Sequence, residues 1–209
     1  MSVLNKIAFF QNRRDEVPNQ ELARELAASK DRAGVREIAE GLWNREKNVQ
    51  SDCLKVLYET GYLNPELIAD YSGDFLKLLK HRNNRMVWGA MIALSTIASL
   101  RADEIFEHLP EIIKTMESGS VITNDAGIKT LADMAARKEE YRPQIAPYLL
   151  KRLADSRPVD TPRYAERIAA ALGGTYKAEF IQILETRMEA ASGSRLARLK
   201  KVLKAAQKQ

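Results

Sequence analysis

Side chains able to do nucleophilic, metal or acid–base chemistry are few in this sequence, and they are scattered. Cys53 is the single cysteine, so no intramolecular disulfide can form. A thiol becomes a nucleophile when a nearby histidine or cation lowers its pKa. The two histidines, His81 and His108, lie far along the chain from Cys53 and belong to no cysteine–histidine zinc spacing. Asp125, Lys129 and Asp133 follow one another at four-residue steps. Alternating charges one helical turn apart make a solvated ladder, not the two carboxylates of unequal pKa that acid–base catalysis uses. The chemistry-bearing residues therefore predict no catalytic centre, no metal site and no cofactor, and the chain reads as a non-enzyme.

Charge offers a second kind of chemistry. Residues 194–209 hold Arg195, Arg198, Lys200, Lys201, Lys204 and Lys208 and no acid, leaving 27 basic and 28 acidic residues elsewhere out of 33 and 28. The formal charge of +5 thus concentrates at one end. Leu196, Leu199, Val202, Leu203 and Ala206 fall on one side of a helix over the same stretch. Two roles fit. Residues 193–209 form a basic capping helix, because cations suit a helix C-terminus and a repeat array needs a polar end. Alternatively Arg195, Arg198, Lys201, Lys204 and Lys208 hold a polyanion such as nucleic acid. No Trp, Tyr or Phe interleaves these cations, so no base-stacking platform is expected.

The elements that position these groups follow from a period. Leu57, Leu94, Leu131 and Ile168 are each 37 residues apart, and a period of this size marks a repeat array. Leu54, Met91, Ile128 and Ala165 keep the same step, as do Ile38, Phe75, Ile112 and Leu149, and Leu42, Leu79, Met116 and Leu153. Cys53 falls in a small-residue column with Ala90 and Gly127, which assigns it to the core as a small hydrophobe. Within a unit, Leu54, Leu57 and Gly61 lie at i, i+3 and i+7, one face of a helix.

Turns keep the same time, at Asn83-Asn84, Gly119-Ser120, Arg157-Pro158 and Gly193-Ser194. Asn64-Pro65-Glu66 reads as a cap, a proline in first helical position and an acid in the first turn; Thr161-Pro162 repeats the signal. Paired antiparallel helices are expected over about 34–46 with 47–62, 65–82 with 84–99, 102–118 with 121–137, 142–155 with 161–173, and 177–192 with 195–207. A helix at 19–30 is a leftover half-unit. The fold class is all-α, a right-handed α-α superhelix of about five two-helix repeats. It is read as a single domain over 1–209, with an N-terminal cap at 1–30, repeats over 31–192 and the basic helix at 193–209.

Arg85-Met86-Val87-Trp88-Gly89-Ala90-Met91-Ile92-Ala93-Leu94 resembles the second-helix signature of a HEAT repeat, a member type of the armadillo-like helical superfamily. Pro110 and Pro147, 37 apart inside first helices, match the bend-inducing proline of that family, since an interior proline deletes a hydrogen bond and kinks the helix. The lack of a third short helix per unit separates the pattern from armadillo units. The resemblance covers about residues 31–192. It implies a non-catalytic scaffold whose second helices line a concave binding face. The HEAT-like DNA alkylpurine glycosylases are more distantly similar. Their inner-surface Trp is followed one turn later by an Asp, whereas Ile92 follows Trp88 and Lys47 follows Trp43 here, so that chemistry has no carrier.

Projected onto the second helices, the residues offered to a partner on the concave face are Lys55, Trp88, Lys129, Arg163 and Arg167. The charge along these columns is mixed and turns basic only at the last two, which favours a protein or peptide partner over nucleic acid. Trp88 stands either as an anchor for that partner or as a wedge against the preceding unit; Trp43 is placed at the core edge. The Ile7-Ala8-Phe9-Phe10 block is too short for a secretory signal and is expected to cap the first helices. No apolar run approaches the ~20 residues of a membrane span, so a cytoplasmic protein is expected. Nothing in the pattern sets the oligomeric state.

Overall fold

The computed structural model describes residues 2–208. They are helical, with no strand among them. Contacts gather into two compact units, residues 1–127 and 128–209.

In the first unit a 3₁₀ turn at Val3–Lys6 leads to α1 (Val17–Ser29), α2 (Arg32–Glu40), α3 (Lys47–Leu63), α4 (Ser72–Leu78), α5 (Asn84–Ile97), α6 (Ala102–Phe106) and α7 (Leu109–Ser118). The next helix, α8 (Val121–Arg137), carries the chain into the second unit. There α9 (Arg142–Ala154), α10 (Thr161–Ile168), α11 (Lys177–Glu189) and α12 (Gly193–Lys208) follow. In unit one α1 packs on α3 and α3 on α5, while α4 packs on α5 and α6; in unit two α10 packs on α12 and α9 on α11. Second helices therefore touch second helices and first helices touch first, the two-layer stacking of a helical repeat.

The 37-residue columns are the core. Leu57, Leu94 and Leu131 are fully buried and Ile168 nearly so, and Leu54, Met91, Ile128, Ala165, Ile38, Phe75, Ile112 and Leu149 are equally enclosed. Each such side chain contributes about 1.5–3 kcal/mol on leaving water. Close approach of α3 to α5 depends on two glycines. A Cβ on Gly89 of α5 would stand 2.6 Å from Leu54 Cδ2, and one on Gly61 of α3 would stand 2.3 Å from Thr96 Oγ1.

Local chemistry sets the ends. Asp31 Oδ1 accepts the Gly34 N–H at 2.9 Å to start α2, and Asn83 Oδ1 accepts the Arg85 N–H at 3.0 Å to start α5. Helix α1 ends on Lys30 in the left-handed region, φ 53°, and the Asp31 N–H reaches back to the Leu26 carbonyl.

The first helices depart from expectation. The helix expected over 65–82 is instead two 3₁₀ turns, Pro65–Leu67 and Ala69–Tyr71, followed by the short α4. Asn64 makes no side-chain cap bond, and Pro65 opens a 3₁₀ turn rather than an α-helix. The helix expected over 102–118 is broken between α6 and α7, which corrects the position of Pro110. It sits in the first turn of α7, where its missing N–H costs nothing; Pro147 alone lies inside a helix, α9. Thr161 and Pro162 open α10, but the residue before them, Asp160, makes no cap bond. Trp43, placed by sequence at the core edge, is 51% exposed. Helix α2 tightens into a 3₁₀ turn at Gly41–Trp43, and the tighter winding carries residue 43 off the stripe of Ile38 and Leu42. Ile7 and Ala8 are buried as expected of a cap, whereas Phe9 and Phe10 remain exposed.

Candidate functional site

In unit one the second helices present a row of aromatic rings with an ionic cluster beside it. Trp88 of α5 is half-buried, its ring 6.3 Å from that of Tyr58 on α3. Tyr58 in turn meets Tyr62 edge-on at 6.3 Å, and Tyr62 is 56% exposed. Tyr58 and Tyr62 were not singled out from the sequence. Their spacing of four residues on α3 was the available signal.

Lys55 was expected as an exposed cation on this face; the structure buries it, at 7% exposure. Its Nζ lies 2.9 Å from Glu16 Oε2 and 2.7 Å from Glu59 Oε1, and 4.9 Å above the Tyr58 ring. Burial opposes its charge, but the hydrogen bonds with Glu59, Glu16 and Tyr58 prevail and hold its pKa above the usual lysine value. Glu16 also accepts from Arg85 Nη2 at 3.2 Å. Lys55 thus ties the lead-in to α1 onto α3, and Arg85 ties it onto α5. Asp52 does similar work, accepting the Phe9 N–H at 2.8 Å and Asn19 Nδ2 at 2.9 Å.

In unit two Lys129 Nζ meets Asp133 Oδ2 at 2.5 Å, one turn along α8. Arg163 and Arg167 are half-buried on α10. Asp160, buried, accepts from Arg157 Nε at 2.6 Å and from Arg163 Nη2 at 2.7 Å. Arg187 Nη2 donates to the Ser156 carbonyl and, at 3.0 Å, to Thr161 Oγ1. On α12, Arg198 grips Glu166 of α10 through two bonds of 2.7 and 2.6 Å, and this hydrogen bonding holds the Glu166 carboxyl below its usual pKa. Arg195, Lys201, Lys204 and Lys208 are exposed. Leu199, Val202 and Ala206 are buried beneath them, so the last helix is part of the core.

The residues weighed for catalysis stay apart. Cys53 is fully buried, and burial pushes its thiol up to about 12. His81 Nδ1 accepts the Asn83 N–H at 3.0 Å, and His108 is exposed. No group of three metal-ligating side chains occurs among the described residues, and no helix there is long and apolar enough to cross a membrane.

No family model and no curated protein matches the chain. Solved structures do. An engineered protein is similar at TM-score 0.70 and 18% identity over 100% of this chain and 98% of that one. A designed armadillo repeat protein in complex with the peptide (KR)4 is similar at TM-score 0.69 and 17% identity, over 90% and 85% of the two chains. A further designed armadillo repeat protein matches at TM-score 0.65 and 17% identity over 98% of each chain. The split of one first helix into α6 and α7 supplies the short third helix whose expected absence had set the pattern apart from armadillo units. The fold is that of a HEAT/armadillo-like helical-repeat protein.

Proposed function

We propose that the chain is a scaffold that holds a protein or peptide on the face of its second helices, centred in unit one on Trp88 and Tyr62, whose rings are joined through the buried ring of Tyr58. The aromatic row carries this reading. Aromatic rings, with few rotamers to freeze, are the side chains that dominate binding energy at interfaces, and Tyr62 offers more than half of its surface. Glu59 and Glu16 lie beside the row, and although Lys55 and Arg85 already hold them, a part-exposed carboxylate has lone pairs left to share with a basic side chain of a peptide. A designed armadillo repeat protein of similar fold is in complex with the peptide (KR)4, which supports a basic, extended peptide as the first ligand to try.

The test is titration of labelled (KR)4 into the full chain, followed by fluorescence anisotropy. Trp88→Ala and Tyr62→Ala should each weaken binding about tenfold, as truncation of an aromatic anchor does, while Phe10→Ala leaves it unchanged. Binding indifferent to both ring truncations refutes the site.

A further inference from the structure

Unit two carries most of the chain's positive charge: residues 128–209 hold 17 basic and 9 acidic side chains, a formal +8, against 16 basic and 19 acidic in residues 1–127, a formal −3. The excess is focused on two helices in contact. Residues 157–168 and 193–208 together hold nine cations and only two carboxylates, Asp160 and Glu166, and both carboxylates are already bound by arginines.

The Glu166–Arg198 bond fixes which sides of α10 and α12 adjoin. On α10, Arg163, Glu166 and Arg167 share a stripe at i, i+3 and i+4; on α12, Arg198, Lys201, Lys204 and Lys208 follow one another at steps of three, three and four residues along one stripe. The two stripes therefore meet along one surface, and Lys200, on the opposite flank of α12 from Arg198, lies off it. From Arg198 to Lys208 the stripe runs roughly 15 Å along the helix, a length over which duplex DNA presents about nine phosphate charges. No aromatic ring is offered between these cations: Tyr164, the one aromatic on either helix, is buried.

We propose that the joined face of α10 and α12 binds the phosphate backbone of a nucleic-acid duplex without reading its sequence. This site is separate from the aromatic row and stands or falls independently of the peptide reading. A line of cations on rigid helices, spaced about one turn apart and lacking both apolar anchors and stacking rings, matches a continuous phosphate chain. An acidic protein segment would call for an apolar pocket among the charges, and this stripe has none. The basic last helix alone is too narrow a description, because Arg198 is spent on Glu166 and the partner face includes α10.

The experiment uses the full chain and a labelled DNA duplex in fluorescence anisotropy across a salt series. Arg167→Gln with Lys201→Gln, and separately Lys47→Gln with Lys114→Gln at exposed positions of unit one, remove equal charge from the proposed face and from elsewhere. The first pair should weaken binding at least tenfold and lower the slope of log K against log salt by about 1.8, two phosphate contacts; the second should change affinity less than about twofold. Lys204→Glu alone, at an exposed position making no ion pair among the described residues, should weaken binding in a chain that melts like the parent. Absence of binding at low salt, equal losses from the two pairs, or displacement of the duplex by polyglutamate at equal charge concentration would each overturn the proposal.

Discussion

Replacing Lys55 by methionine should cost stability and leave peptide affinity nearly intact. The ammonium holds Glu16 and Glu59 at 2.9 and 2.7 Å and is 9% exposed at its side chain. Removing one member of a fully buried ion pair costs about 3–5 kcal/mol, because the partner charge is left unpaired. Here the penalty is smaller. Glu16 is 43% exposed and keeps Arg85, and Glu59 is 24% exposed, so both carboxylates recover water. Methionine also restores the apolar packing of the lysine stem. The expected loss is about 2 kcal/mol, on the scale of charged hydrogen bonds. Urea denaturation of K55M, E59Q and the double variant measures it, with a coupling energy of about 1 kcal/mol between positions 55 and 59. A loss below about 0.5 kcal/mol, the range of ordinary surface substitutions, refutes the structural role. So does a tenfold fall in (KR)4 affinity with unchanged stability, which would return Lys55 to the binding face.

Two other expectations follow from the buried groups. Cys53 should resist a thiol reagent in native buffer at neutral pH and react fully in denaturant, since burial both hides it and pushes its pKa up to about 12; rapid native labelling would contradict its core placement. Glu37 is held below its usual pKa, chiefly by the Ser2 hydroxyl and also by the Val3 and Leu4 amides. A depressed carboxyl pKa contributes stability above the unfolded value near 4.5 and loses it as pH falls through the folded value. Relative to the intrinsic exchange rate at each pH, protection of the Val3 and Leu4 amides should therefore fall on acidification through that range, and Glu37→Gln should show weakened protection at every pH.

The layout of the core was legible because a repeat writes the same buried column several times: Leu57, Leu94 and Leu131 each confirm the others. The lead-in to α1 is written only once, and there the reading stopped. Glu16, which buries Lys55, lies 39 residues upstream of it and outside any repeat column, so a lysine in an exposed column could not be recognised as an enclosed one. Arg198 shows the same limit. Its partner Glu166 is 32 residues away, an offset distinct from the 37-residue step, and the pairing depends on how far α12 is shifted along α10. The breaks in the first helices were invisible for another reason. Apolar spacing through residues 102–118 continues across the gap between α6 and α7, because Ile105, Leu109 and Ile112 all remain in the core. Of the faces, Trp88 was flagged, but its neighbour Tyr58 sits 30 residues before it, again off the beat.

Gly61 and Gly89 give the joint between α3 and α5 a consequence for how this molecule could change. Each helix contributes one absent β-carbon, received by Leu54 on one side and Thr96 on the other, so the two helices are keyed at both ends and cannot slide past one another by a turn without collision. In the next unit the corresponding residues are Ala98 and Ala126, and in the unit after that Ala135 and Arg163. The key is therefore cut for one joint only. Units that share a period are not interchangeable parts: a copy of residues 84–97 inserted elsewhere would bring the Thr96 tooth against Ala98 or Ala135, where no notch receives it, and the array can be extended by duplication only if its joints are recut afterwards.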